Sequence, residues 1–493
     1  MSYVIGVDVG SQSVKGVLLD PDGRQVKTAA QPLRMSHPAA GWAEQDPVDW
    51  ERALAAVVQE LTTSAVPVAV LALACQVDGV VAMDAELRAL RPGIIWLDRR
   101  AEAQTSRLEA TVGREALFRR TGLVPDASHT APKMMWLREH EPETVARARF
   151  LAPVAGYLVG RLTGVPAQDP ANASSTMLFD LARGAWNEEL CAAAGIDPVL
   201  LPPVRPSHEP AGPLTPEAAA ALGLTTRTLV CVGTGDEHAA SLAAGAVTPG
   251  VIADVTGTAE PVTVSGTEPV LDPEQLVETH AHAVFGRYLI ENPGFVSGGS
   301  TLWLASEVLQ RRQSDVFTLA AAAPAGSDGV LFLPALSGAM APRWSSGMRG
   351  AFAGLAMNTG ASHLARAVLE GCAYALRDIV DRLDALGLAG GDAGEVRIVG
   401  GGGRSRLWCQ LKADVLDRPV RRLLAEEATA LGAALLAGVA AGTFTDFEDA
   451  VARTVVLDPE PITPDPAGVA AYAEAYPRYR RLFDHVEEAL AGR

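Results

Sequence analysis

Two stretches of the chain open in the same way. VIGVDVGSQSVKGVLL starts at Val4 and VIADVTGTAEPVTVSG starts at Val251, 251 − 4 = 247 residues later. In each, a Val-Ile run reaches a glycine six residues on, Gly10 or Gly257. A hydroxyl residue follows, Ser11 or Thr258, and then a second valine-rich run. Apolar run, glycine turn, apolar run is the pattern of a β-hairpin. Two such hairpins, each opening one half of the chain, imply one fold used twice; the alternative is a chance likeness of two hairpins. The halves are then 1–247 and 248–493, parted at the glycine- and proline-bearing GAVTPG. At 493 residues the chain also exceeds what one ordinary core holds, so two large domains are expected on length alone.

The first 31 residues read as three strands, YVIGVDV, VKGVLLD and RQVKTAA. Apolar residues at helical spacing predict a helix near PVDWERALAAVVQELTTS, and a buried strand, VAVLALACQ, comes next. A meander followed by alternating helices and strands implies an α/β domain with a mixed sheet. The C-terminal DPAGVAAYAEAYPRYRRLFDHVEEAL reads as a final surface helix or helix pair.

Charge narrows the partners. The balance is 41 − 58 = −17, which argues against nucleic acid and against an anionic membrane surface. Any bound anion must therefore be held by local devices such as backbone amides, helix ends or a metal. The apolar stretches 65–75 and 430–442 are too short to cross a bilayer. Five scattered cysteines without a CxxC pair suit buried free thiols in a reducing compartment. MSYVIGVDVG carries no basic leader and enters a strand at once, so a cytoplasmic protein is expected.

Glycine turns at strand ends carry the chemistry. The first hairpin turn offers Gly10, Ser11, Gln12 and Ser13, and the second offers Gly257 and Thr258. Exposed amides and small hydroxyls make anion nests, and two facing nests could hold a polyphosphate between them. Asp8 faces the first turn, where a carboxylate repels phosphate unless a cation intervenes. It predicts Mg²⁺, or else it caps the turn. Lys15 either reaches a phosphate or points outward from its strand. VSGGSTLW places Gly298 and Gly299 before a helix. IVGGGGRSRLW places Gly401, Gly402 and Ser405 between a strand and a helix, where a flat ring or a backbone can approach closely. In VGTGDEHAAS, Asp236 is either a helix N-cap or a base at the edge of a cleft. THAHAV puts His280 and His282 on one face of a strand, a spacing open to a metal pair, with no third ligand evident. Arg99 and Arg100 read as surface or turn residues.

Several long motifs then fall in one order. VDVGSQSVKG, GWAEQDPVDW, SHTAPKMMWLREH, VTGTAEPV, GAFAGLAMNTGASHLARAVLE and GGGGRSRLWCQLKADVL…ALGAALLA resemble the FGGY family of carbohydrate kinases nearly end to end. TAPK followed by EHEPE resembles the xylulokinase-like branch. The resemblance implies a duplicated actin/Hsp70/hexokinase-like (ribonuclease H-like) α/β fold with the active site between the halves. It implies ATP and Mg²⁺, with Asp8 and Asp236 near the metal and Asp236 as the base that takes the proton from the sugar hydroxyl. It implies sugar contacts from Gln76, Val77, Asp78, Trp96, Asp98, Asp236 and Glu237, with Asp98 equally readable as a turn cap. The segment with Gly401, Gly402 and Ser405 would hold adenosine. The resemblance further suggests a homodimer.

Substrate is read from departures. Where xylulokinases usually show Gln-Met-His-Gly, this chain has Gln76-Val77-Asp78-Gly79. Glycerol kinases place Arg-Glu at Val77 and Asp78, and the arginine is absent here, which disfavours glycerol. A ketopentose such as D-xylulose is the expected acceptor. The alternatives are another sugar or polyol (ribulose, erythritol, a sugar acid), or a non-catalytic sugar or nucleotide sensor on the same fold.

Overall fold

The computed structural model describes residues 2–62, 66–390 and 394–490. The first half is built on a seven-stranded mixed sheet. Its strands are β1 (Tyr3–Val9), β2 (Ser13–Leu19), β3 (Gln25–Pro32), β4 (Val68–Cys75), β5 (Pro210–Pro213), β6 (Leu229–Cys231) and β7 (Thr234–Gly235). They lie in the order β5-β6-β4-β1-β2-β3, with β7 continuing along β4. The second half carries β8 (Ile252–Val255), β9 (Val262–Gly266), β10 (Glu278–Ala281), β11 (Tyr288–Asn292), β12 (Val396–Val399) and β13 (Val420–Arg422) in the order β10-β11-β9-β8-β12-β13.

The duplication is visible in the pairing. β1 pairs antiparallel with β2 on one edge and parallel with β4 on the other. β8 pairs antiparallel with β9 and parallel with β12 in the same way. The next strands out on each side follow suit, β3 beside β2 and β6 beside β4, then β11 beside β9 and β13 beside β12.

β1 is apolar without alternation because both of its faces are covered. Ile5, Val7 and Val9 face the helix α1 (Pro47–Leu61), packing with Trp50, Leu54 and Val57. Asp46 caps that helix, its carboxylate accepting from the Val48 amide at 3.0 Å, and Pro47 fills the first turn, where no amide partner is lost. The sequence predicted this helix near 47–64; residues 63–65 lie outside the described residues.

The opposite face of β1 is covered by one helix of its own half and one from the other half of the chain. Val4, Val17, Val70 and Ala72 pack with α2 (Asp236–Ala243) and with α3 (Ala428–Ala440), through Leu242, Leu431, Ala434 and Leu435. Gly6 permits this approach. A Cβ there would lie 2.1 Å from the Ala430 carbonyl oxygen and 2.2 Å from the Ala434 nitrogen. The last helix, α4 (Pro466–Leu490), is one continuous helix rather than a surface pair, and it buries Tyr472, Tyr479 and Phe483 in the second core. The cysteines 75, 191, 231, 372 and 409 are all free and buried. Among the described residues no helix is long and apolar enough to cross a membrane.

Candidate active site

Asp236 sits where three strands deliver it. Asp8 pairs with Ala74, and Ala74 pairs with Thr234, so Asp8 and Thr234 flank the end of β4. Asp236 follows at the first turn of α2, after Gly235 at the N-cap. The N-cap reading of Asp236 therefore fails: Gly235 holds the cap position, and Asp236 Oδ1 accepts from the neighbouring Glu237 amide at 3.0 Å. Thr234 is pinned by its hydroxyl donating to Asp169 Oδ2 at 2.6 Å, and Asp169 itself caps a short helix through the Asn172 amide. Gly235 lets the turn close on Val77, since a Cβ would come within 2.5 Å of Val77 Cγ1.

The electrostatics of this corner are set by burial and by like charges. Burial raises the Asp236 carboxyl to about 7, and the charges of Glu291 and Asp78 add to that. Burial and then the Asp236 charge raise Asp8 well above the carboxylate range, with Lys15 opposing. Asp8 Oδ1 is buried without a hydrogen-bond partner. Two raised carboxyls, one of them feeling the charge of the other and carrying an orphaned oxygen, fit a hard divalent ion such as Mg²⁺.

Around them lie the residues expected at the sugar. Gln76 is fully buried and donates from Nε2 to Gln45 Oε1 at 2.8 Å, leaving its own Oε1 buried and unpartnered. Gln45 is held in turn by donating to the Ser11 carbonyl at 2.8 Å, which ties the first glycine turn to this wall. Asp78 has φ of 61°, a left-handed backbone that aspartate tolerates better than most residues. Its Oδ1 lies 3.3 Å from His129 Nδ1, and its carbonyl accepts from Lys133 Nζ at 2.7 Å. Glu237 is raised by burial, by Glu291 and by Asp236, while His280 pulls it down.

Three expectations change on contact with the structure. Asp98 is fully buried and its oxygens are committed, to the Ala43 amide at 2.6 Å and to Arg100 backbone and side chain at 2.7 to 2.9 Å. It holds the turn that carries half-buried Trp96, so of its two readings the turn cap is the one seen. Arg100 is no surface residue: its guanidinium lies 3.7 Å from the Trp42 ring centroid and 4.9 Å from that of Trp136, with Asp98 and Glu44 as ion-pair partners. Lys15, read either as reaching a phosphate or as pointing outward from its strand, is paired with Glu427 at 2.8 Å, immediately before α3.

The glycine turns of the second half converge. The Gly298 amide donates to the Gly257 carbonyl and the Gly299 amide to the Thr258 carbonyl, both at 3.0 Å. A Cβ on Gly298 would meet the Gly257 oxygen at 2.3 Å, and one on Gly402 would meet Thr256 Cγ2 at 2.3 Å. The turns at 257–258, 298–299 and 400–403 thus stack on one another. Gly401 has nothing within 4 Å of its Cβ direction and is open to a ligand. A cavity of about 130 Å³ adjoins it, lined by Gly400, Gly403, Arg404, Arg422 and Leu424 among others. Ser405 has a structural duty here, capping the helix Arg406–Leu416 by accepting from the Trp408 amide at 3.2 Å.

The family model for the N-terminal domain of FGGY carbohydrate kinases matches residues 3–243, and that for the C-terminal domain matches 253–441. The chain belongs to the FGGY family of carbohydrate kinases. Its relatives in the family carry two kinds of name. A glycerol kinase of Aromatoleum aromaticum is 36% identical over 91% of this chain and 92% of its own length. A xylulose kinase of Escherichia coli is 31% identical over 99% and 100%. Among solved structures, a xylulose kinase from Rhodospirillum rubrum is 32% identical with a TM-score of 0.88, covering 99% of each chain. Overall similarity to this FGGY kinase therefore does not separate the two acceptors.

His129, Lys133 and Arg100 belong to this site's surroundings, and sequence reading passed over their roles. His129 and Lys133 stand within the quoted SHTAPK, where their burial beside Asp78 was not visible.

Proposed function

We propose that this FGGY kinase transfers the γ-phosphate of ATP to a hydroxyl of a neutral ketopentose or related polyol, with D-xylulose the first acceptor to try. The observation that carries the proposal is the pair Asp8 and Asp236, both raised by burial, with Asp8 Oδ1 orphaned beside the first glycine turn. In this reading 1–247 supplies the sugar wall and first phosphate turn, and 248–493 supplies the second turn and the adenosine cavity.

Asp236 accepts the proton of the attacking hydroxyl, a task for one carboxylate within hydrogen-bond reach. Phosphoryl transfer needs little covalent help, so positioning and charge neutralisation do the rest. Amides of the turns at 10–13 and 257–258 cradle the phosphates. Asp8 and Asp236 would hold Mg²⁺, which supplies neutralisation of the phosphate charge when bound. Gln76 Oε1 and the Asp78 carboxylate accept from sugar hydroxyls, and Trp96 covers the apolar side. The crowd of carboxylates, Asp78, Asp236 and Glu237, repels an anionic acceptor, which favours neutral sugars over sugar acids. The missing arginine beside Asp78 speaks against glycerol.

ADP release measured against pentuloses, tetritols, glycerol and sugar acids tests this. Expected is Mg²⁺-dependent turnover on a neutral ketopentose or polyol, abolished by Asp236→Asn. Best turnover on a sugar acid or on glycerol would overturn the substrate assignment. No turnover with any acceptor, while ATP still binds, would leave the sensor reading.

A further inference from the structure

Glu278 and Glu291 stand directly opposite each other in the antiparallel pair β10–β11. Like charges in that position repel, and here both side chains are almost wholly buried, at 1% and 2% exposure. Something cationic has to lie between them. His280, two residues along the same face of β10, comes into the gap. Its Nε2 lies 3.1 Å from Glu291 Oε1 and 3.6 Å from Glu278 Oε2, yet it makes no hydrogen bond of acceptable geometry. Glu291 Oε2 is likewise buried and unpartnered.

We propose that Glu278, His280 and Glu291 form a binding site for one divalent transition-metal ion of Zn²⁺ type, separate from the Mg²⁺ corner. One ligand atom from each of the three lies within 4.8 Å of the others. A tetrahedral ion with ligands at about 2.05 Å sets them about 3.3 Å apart, and the two imidazole–carboxylate separations bracket that value. Two carboxylates and one imidazole suit Zn²⁺ or Mn²⁺, and a fourth position remains for water.

The surroundings orient the ligands as metal sites require. His280 Nδ1 faces Ser175 Oγ at 3.4 Å, which turns Nε2 toward the glutamates. Glu278 Oε1 accepts from the Val124 amide at 2.6 Å and lies 3.5 Å from His129 Nε2. Val124, His129 and Ser175 come from the first half and the three ligands from the second, so the ion would fasten β10 to the neighbouring half. The His280–His282 pair suggested by sequence spacing is not the site. His282 is spent elsewhere, with Nε2 3.1 Å from the Ala246 carbonyl and Nδ1 accepting from the Val284 amide. The missing ligands come instead from two residues back on β10 and from across the hairpin. The competing occupant is a proton, making His280 an imidazolium between two glutamates.

The test uses the full chain, stripped with EDTA, desalted, and titrated with Zn²⁺ and with Co²⁺ in the absence of Mg²⁺ and nucleotide. Expected is one tightly held equivalent that survives Asp8→Asn and His282→Ala, with Co²⁺ giving the visible bands of a four-coordinate ion. His280→Ala and Glu291→Gln should each weaken binding at least tenfold. An anomalous peak among the three side chains in Zn²⁺-soaked wild-type crystals decides the matter if both variants misfold. Wild-type binding below about a tenth of an equivalent, or equal binding by folded His280→Ala, assigns the site to a proton and overturns the proposal.

Discussion

The ionisation of Asp236 makes a quantitative prediction about pH. Burial holds its carboxyl at about 7, some three units above an exposed aspartate. A base must be ionised to accept a proton, so kcat/KM of the free enzyme should rise with pH through this value. About a tenth of the molecules are competent at pH 6 and about nine tenths at pH 8, a change of roughly tenfold. The sign for stability is opposite. A carboxyl raised on folding contributes stability that is fully present below about pH 4 and is lost as pH rises through about 7. Activity should therefore climb through the window in which the ligand-free protein loses some of its resistance to heat. Steady-state ADP release at limiting acceptor, from pH 5.5 to 8.5 with coupling enzymes in excess, measures the first limb. Asp236→Asn supplies the reference, with kcat lowered on the order of 10² to 10⁴ and ATP affinity nearly unchanged. A flat profile across the window, or an Asp236→Asn variant retaining more than about a tenth of wild-type kcat, would refute the reasoning.

Three further outcomes follow from the same geometry. Asp78→Asn keeps a residue tolerant of the left-handed backbone but removes the charge facing His129. It should lower kcat/KM for the acceptor about ten- to a hundredfold with KM for ATP unchanged, as acceptor titrations would show. Gly402→Ala drives a Cβ into Thr256, whose hydroxyl is locked by Asp254 and Lys412, so KM for ATP should rise several-fold with acceptor KM unmoved. Gly6→Ala forces β1 away from α3 and should cost at least 1–3 kcal/mol, read as a lower urea midpoint.

Legibility from sequence followed the range of the interaction. The paired hairpins could be read because strand periodicity and a turn glycine are local signals. Asp236 at a helix start was equally local, and its cluster of glycine and small residues marked it. Arg100 could not be read: its place depends on Trp42 and Trp136 meeting across 94 residues of chain (136 − 42). Glu291 became a neighbour of His280 only through the register of β10 and β11, which a one-residue slip would have reversed. Lys15 found Glu427 because α3 crosses the first sheet, a tertiary choice with no trace near either residue.

That crossing helix also sets a timetable. The strands and α1 of the first half leave the ribosome early, but the cover for the α3-facing side of β1 and β4 is encoded at 428–440. At roughly 5–20 residues per second, the wait between the end of the first half and the arrival of α3 is on the order of 10–40 s. Throughout it, Val4, Val17, Val70 and Ala72 lack part of their partner surface. A nascent chain in that interval presents an apolar face of the kind that associates with other unfinished chains. A gene cut at the midpoint would leave the same sticky face in every molecule made.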